Sequence, residues 1–127
     1  MAKGAQKLRI LMVERSPFLR FVLRDVLYRA NHETVGECEA LGEAAVLAGK
    51  LEPDVVLMEL DGPREQWRDS IEALKQTAPS AKLIAIGPPG LSHADIYGLT
   101  ALLNKPCTPE AVLAAIRCGA TDEVLPA

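Results

Sequence analysis

The sequence predicts an α/β domain: a doubly wound, five-stranded parallel sheet covered by helices on both faces, a three-layer α/β/α sandwich. Three observations carry this reading. Short apolar runs alternate five times with longer stretches of helical period. All but the second of those runs are near-continuously apolar, as strands buried on both faces require. The chain has 127 residues, 49% apolar and 24% charged, which suits one domain with its own core and excludes a disordered or collagen-like chain.

The first strand is expected over Leu8 to Val13. Ser16 then offers a side-chain oxygen to a helix N-terminus, and Pro17, lacking an N–H, suits the first helical position. Phe18, Leu19, Val22, Leu23, Val26 and Leu27 recur at helical spacing as the expected buried stripe, with Arg20, Arg24, Asp25 and Arg29 largely on the other face. The second strand, roughly Thr34 to Cys38, contains Gly36 and Glu37 and is expected at a sheet edge. A second helix is expected over Gly42 to Lys50, a third strand over Val55 to Leu60, and a third helix over Arg64 to Thr77, ending before Pro79.

Leu83 to Ile86 forms the fourth strand, followed by the rigid, turn-forming run Gly87-Pro88-Pro89-Gly90. Only Leu91 to Leu99 remain for a fourth helix, which is therefore short or irregular. The fifth strand is expected over Ala101 to Asn104. Thr108 and Pro109 repeat the cap-and-proline signal, and Val112, Leu113 and Ile116 are the buried stripe of the last helix. Residues 1 to 7 read as a flexible start and 119 to 127 as a tail or the stump of a linker.

Composition narrows the function. Fourteen basic against seventeen acidic residues leave a net charge of −3 without a basic stripe, which argues against direct nucleic-acid binding. No apolar run is long enough to span a bilayer and the polar start lacks a signal-peptide apolar region, so a cytoplasmic protein is expected, with no membrane partner. Cys38, Cys107 and Cys118 are an odd number without a CxxC pair, which disfavours disulfides and structural zinc. They read as small core or surface residues. Cys107 carries a second reading, a thiol of lowered pKa near a helix N-terminus. His32 and His93 have no partners at metal spacing and read as solvated loop residues. Trp67, Phe18, Phe21, Tyr28 and Tyr97 read as scattered core and edge aromatics.

In an open doubly wound sheet, functional groups collect at the carboxyl ends of the strands. The residues placed there are Glu14 and Arg15 after strand one, Glu59 and Asp61 at the end of strand three, Gly87 after strand four, and Lys105-Pro106 after strand five.

Three segments in this order resemble the response-regulator receiver domains, or CheY-like domains, of two-component signalling. They are Ile10-Leu11-Met12-Val13 with a charged pair and Ser16-Pro17; Pro53-Asp54-Val55-Val56-Leu57-Met58 leading to an acid, with Pro63 four residues on; and Asn104-Lys105-Pro106 before the final helix. The resemblance covers nearly all of the chain. It implies one receiver-like domain of flavodoxin-like, CheY-like fold with strand order 2-1-3-4-5. It also implies a phosphorylation switch. A histidine kinase passes a phosphoryl group to an aspartate ending strand three, magnesium held partly by two acids after strand one assists, and a hydroxyl after strand four and an aromatic on strand five then shift.

Carried over by position, the phosphoacceptor aspartate falls on Glu59, the acidic pair on Glu14 and Arg15, the hydroxyl on Gly87, the aromatic on Leu102 and the lysine on Lys105. Glutamate's extra methylene moves the carboxylate away from the in-line geometry that phosphoryl transfer depends on. A guanidinium has no oxygen for a metal, and glycine has no side chain to turn. Arg15 would then stand in for the metal's charge, and a Glu59 bridge to Arg15 or Lys105 would replace phosphate-dependent contacts; such a pair attracts by roughly 4 kcal/mol before desolvation.

Other readings stand beside these. Glu59 is a phosphoaspartate mimic or an inert strand end; Arg15 is a metal surrogate or a surface arginine. Asp61 is a substitute phosphoacceptor or part of the turn Asp61-Gly62-Pro63; Lys105 is a phosphoryl partner or a surface lysine beside a turn-fixing proline, where a cis bond would fit.

Two functions are expected from this. The first is a pseudo-receiver, not an enzyme and without a cofactor. It relays or scaffolds a signal through contacts with a histidine kinase, an output domain or another receiver. The second is a working receiver that uses Asp61 or Glu59 with magnesium on Glu14, Glu59 and Asp61. The expected contact surface, open also to a homodimer, is the face of the fourth helix, fifth strand and fifth helix, altered here by the short Gly87 to Lys105 connection. A nucleotide-binding enzyme is set aside because Val13 to Phe18 contains no glycine.

Overall fold

In a computed structural model, which describes residues 6 to 120, β1 (Arg9–Val13) is an interior strand of the sheet and alternates its side chains between two cores. Ile10 and Met12 face one side, Leu11 and Val13 the other, as the two-residue repeat of a strand requires. β3 (Val55–Glu59) and β4 (Lys82–Gly87) divide in the same way, Val55, Leu57, Ile84 and Ile86 against Val56, Met58, Leu83 and Ala85. Both faces are buried, which is why these strands read as unbroken apolar runs.

The edges are β2 (Glu33–Cys38) and β5 (Ala101–Asn104). All pairings are parallel, in the order β2-β1-β3-β4-β5. The β1–β2 register shifts between Ile10 and Leu11, opposite Gly36, where an added Cβ would stand 2.5 Å from Leu51 Cδ1 and the leucine methyl would have to move.

Helices α1 (Pro17–Arg29) and α4 (Pro109–Ala120) cover one face through Leu27, Val112, Ala115 and Ile116. The other carries α2 (Leu41–Leu51) and α3 (Trp67–Thr77) through Ala44, Ala48, Trp67, Ile71 and Leu74. The Ser16 hydroxyl accepts from the Leu19 N–H at 3.2 Å, and the Thr108 hydroxyl from the Ala111 N–H at 3.1 Å, so both cap-and-proline signals form. The expected third helix is split, since Arg64–Gln66 is a single 3-10 turn ahead of α3. Gly119 and Ala120, expected in the tail, extend α4. The flexible start and the rest of the tail, residues 1 to 5 and 121 to 127, lie outside the described residues.

Two expectations are corrected. The buried stripe of α1 is narrower than its apolar spacing implies. Phe18 lies nine residues from the buried Leu27, about 900° or half a turn away, and is 71% exposed; Leu19 is exposed too. His32 is not a solvated loop residue: it is buried, and its Nδ1 accepts from the Leu8 N–H at 3.2 Å. Between β4 and β5 the fourth helix is short, as expected: it is one 3-10 turn, His93–Asp95, and Leu91, Ile96 and Leu99 fill the core beside it.

Candidate functional site

The carboxyl ends of β1, β3, β4 and β5 converge on one rim. At the β1 end the Glu14 N–H continues the ladder to the Cys38 carbonyl at 3.0 Å, which draws the residue in until it is only 4% exposed. Its Oε2 accepts from the Ser16 N–H at 3.0 Å. Arg20 clamps the same loop from one turn into α1, its Nη1 donating to the Glu14 carbonyl at 2.6 Å and the Arg15 carbonyl at 3.1 Å. Glu37 on β2 holds Arg20 and Arg24, at 3.5 Å and 2.8 Å.

At the β3 end the two acids have separate partners. Lys105 Nζ donates to Glu59 Oε2 in a close ion pair; the glutamate side chain is 12% exposed and the lysine 44%. Arg15 Nε pairs instead with Asp61 Oδ2 at 2.9 Å, both side chains open to solvent. The Asp61 carbonyl accepts from the indole N–H of the buried Trp67 at 3.0 Å. Thus the rim carries two ion pairs in parallel, an inner one on Glu59 and an outer one on Asp61. Glu14, Glu59 and Asp61 do not assemble into a metal-holding set, and among the described residues no group of three His, Cys, Asp or Glu is so placed.

At the β4 end Gly87 is buried under Leu91, with Leu60 and Leu102 close by. Asn104 Nδ2, at the end of β5, donates to the Pro88 carbonyl at 3.0 Å and the Leu91 carbonyl at 2.7 Å. The Lys105–Pro106 peptide is cis. Cys107 follows, and partial burial pushes its thiol pKa up despite the opposing pull of Lys105, contrary to the reading of a lowered value.

Beside the rim, Leu19, Leu23, Pro89, Pro106 and Cys107 line a groove of about 620 Å³. The outer side of α1 exposes Phe18, Phe21 and Tyr28, the last two at 62% and 75%. These aromatics are surface residues, not core or edge filling; Trp67 alone of the large rings in that group is buried on the α3 side.

Sequence reasoning brought Glu14, Arg15, Glu59, Asp61, Gly87, Leu102 and Lys105 to this end of the sheet, and they are there. It missed Arg20, Glu37, Trp67, Leu91 and Asn104. Arg20 and Arg24 sit four apart on a polar face, and Asn104 directly precedes Lys105-Pro106, but no local pattern names their partners.

A parallel sheet in this order, with an acid ending the third strand and a lysine–proline pair following the fifth, defines a signal-receiver architecture. The chain is 30% identical over 112 residues to the chemotaxis protein CheY of Thermotoga maritima, covering 85% of this chain and 93% of that one. It is 33% identical over 118 residues to the transcriptional regulatory protein PdtaR of Mycobacterium tuberculosis, 91% of this chain but 58% of the longer relative. A two-component response regulator of the LuxR family from Aurantimonas superposes with a TM-score of 0.80 at 21% identity, over 94% of this chain and 89% of that one. The receiver domain of the NarL regulator from M. tuberculosis does so with a TM-score of 0.77 at 20% identity, over 91% and 98%. No family model matches the chain. The chain belongs to the CheY-like response-regulator receiver family of two-component signalling.

No helix among the described residues is long and apolar enough to cross a membrane.

Proposed function

We propose that this receiver domain signals through protein contacts, in the cytoplasm, without accepting a phosphoryl group and without a bound cofactor. One observation carries the reading: the carboxylate at the phosphoacceptor position, Glu59, is already engaged by the Lys105 ammonium. The pair supplies inside the protein the negative charge and the lysine contact that a phosphoryl group would otherwise bring together.

The donor set is a poor match to magnesium, which takes oxygen ligands in near-octahedral geometry. Arg15 offers a cation where a carboxylate is needed, and one Glu14 oxygen is committed to the Ser16 N–H. The domain is then not an enzyme, and its output is the surface it presents. The exposed Phe18 and Phe21, one helical turn apart on α1, support that helix as the contact for a kinase, an output domain or another receiver, since exposed apolar patches on soluble domains mark such sites. The face formed by the fourth helix, fifth strand and fifth helix is reduced here to one 3-10 turn with β5 and α4.

A magnesium titration followed by amide NMR tests the reading. The amides of Glu14, Glu59 and Asp61 are expected to stay unshifted at millimolar magnesium. Saturable shifts at all three would favour a working receiver that uses Asp61 or Glu59.

A further inference from the structure

The end of β4 is closed by a contact that neither the charge pairs nor the helices account for. Gly87 is buried, and a Cβ added there would lie 2.8 Å from Leu91 Cδ2, with Leu102 Cδ1 at 3.5 Å and Leu60 Cδ1 at 3.7 Å. Its φ is outside the left-handed region, so what a side chain there would meet is not backbone strain but the Leu91 methyl, which would have to give way. Leu91 is itself buried in the core on the α2–α3 side, so it fills the slot above Gly87 as a plug.

The backbone that carries the plug is tied at successive points. The Lys105 N–H donates to the Gly87 carbonyl at 2.9 Å. The single Asn104 amide donates to the Pro88 carbonyl at 3.0 Å and the Leu91 carbonyl at 2.7 Å, gripping both ends of the turn. Pro88 and Pro89 have fixed φ, and Gly90 takes the turn at φ +85°. Beyond it, the Ser92 N–H and hydroxyl donate to Asp95 Oδ2 at 2.9 Å and 3.1 Å.

We propose that Leu91 and Asn104 form a lock that holds residues 87 to 91 in one conformation whatever the charge at the neighbouring site, so that the surface over 92 to 99, with Tyr97 outward, is presented permanently. To open the turn, Leu91 must leave a slot that nothing else fills, and two carbonyls must lose one shared donor. Lys105 is the next residue after Asn104, so the strand end that carries the lock also carries the pair to Glu59. The lock goes beyond the reading above, because it holds whether or not a phosphoryl group is accepted.

Amide hydrogen exchange read by mass spectrometry on the intact chain tests it. Peptides covering 87 to 99 are expected to exchange slowly and to be unchanged by magnesium with beryllofluoride. Asn104→Asp, which removes both donations at constant volume, and Leu91→Ala are each expected to speed exchange there by about tenfold, while β3 and α4 keep wild-type protection. Rapid exchange of 87 to 99 in the wild type, a response to beryllofluoride, or an Asn104→Asp variant with unchanged exchange overturns the lock. If Leu91→Ala loses protection throughout, Asn104→Asp decides alone. A phosphoryl group found on the chain while 87 to 99 stays protected removes the proposed function and leaves the lock standing.

Discussion

Lys105 and Glu59, 46 positions apart in the chain, meet at the carboxyl edge of the sheet as an ion pair whose acid is almost enclosed. Their separation in burial sets the expected energy. Exposed pairs contribute about 0.2–1 kcal/mol and fully buried ones several times more when one partner is removed. With the lysine half open, Lys105→Met is expected to lower stability by about 1 kcal/mol, and Glu59→Gln by a similar amount. A double-mutant cycle by urea denaturation checks this: the two effects combine to less than their sum if the residues act through each other.

Local signals in the sequence translated directly into structure. Ser16 with Pro17 and Thr108 with Pro109 started helices because capping involves only neighbours three or four residues apart. The sheet was legible because strands buried on both faces leave runs such as Val55 to Met58. The rim was legible as a set of positions, not as a set of partners. That Glu59 takes Lys105 and Arg15 takes Asp61 depends on side-chain reach across strands. The same holds for Asn104 gripping Pro88 and Leu91, and for Arg20 meeting Glu37. Phe18 is apolar and on a helix, yet its angle from Leu27 turns it outward, so composition alone does not fix its burial.

Gly87 and Leu91 give a second prediction. Gly87→Ser puts a Cβ and hydroxyl into the space of Leu91 Cδ2 and is expected to destabilise the domain by about 1–3 kcal/mol. Gly87→Ser combined with Leu91→Ala is expected to cost less than the sum of the two, since the smaller residue vacates the slot. Chemical denaturation of the four proteins measures it.

His32 links stability to pH. Burial, followed by the positive charge of Arg117, lowers its pKa below the usual value, so the fold holds it neutral and its Nδ1 accepts from the Leu8 N–H. The unfolded chain binds the proton more readily. Stability from this group is therefore complete above about pH 6.5 and is lost as pH falls through the lowered folded value. Urea midpoints from pH 7.5 to 5 are expected to fall more steeply for the wild type than for His32→Gln.

The thiols are expected to be sluggish. Burial, followed by the charge of Glu43, raises the Cys38 pKa to about 11, and burial raises that of Cys107. Thiolate is the reacting form, so iodoacetamide at pH 8 is expected to label both more slowly than a small free thiol. Peptide mapping against glutathione in the same reaction reads the difference.

The proposed function requires that the charge at the end of β3 be supplied by the protein itself. Incubation of the intact chain with acetyl phosphate and magnesium, followed by mass spectrometry, tests this directly. The account predicts an unchanged mass. A phosphoryl adduct that disappears in Glu59→Ala or in Asp61→Ala would contradict it.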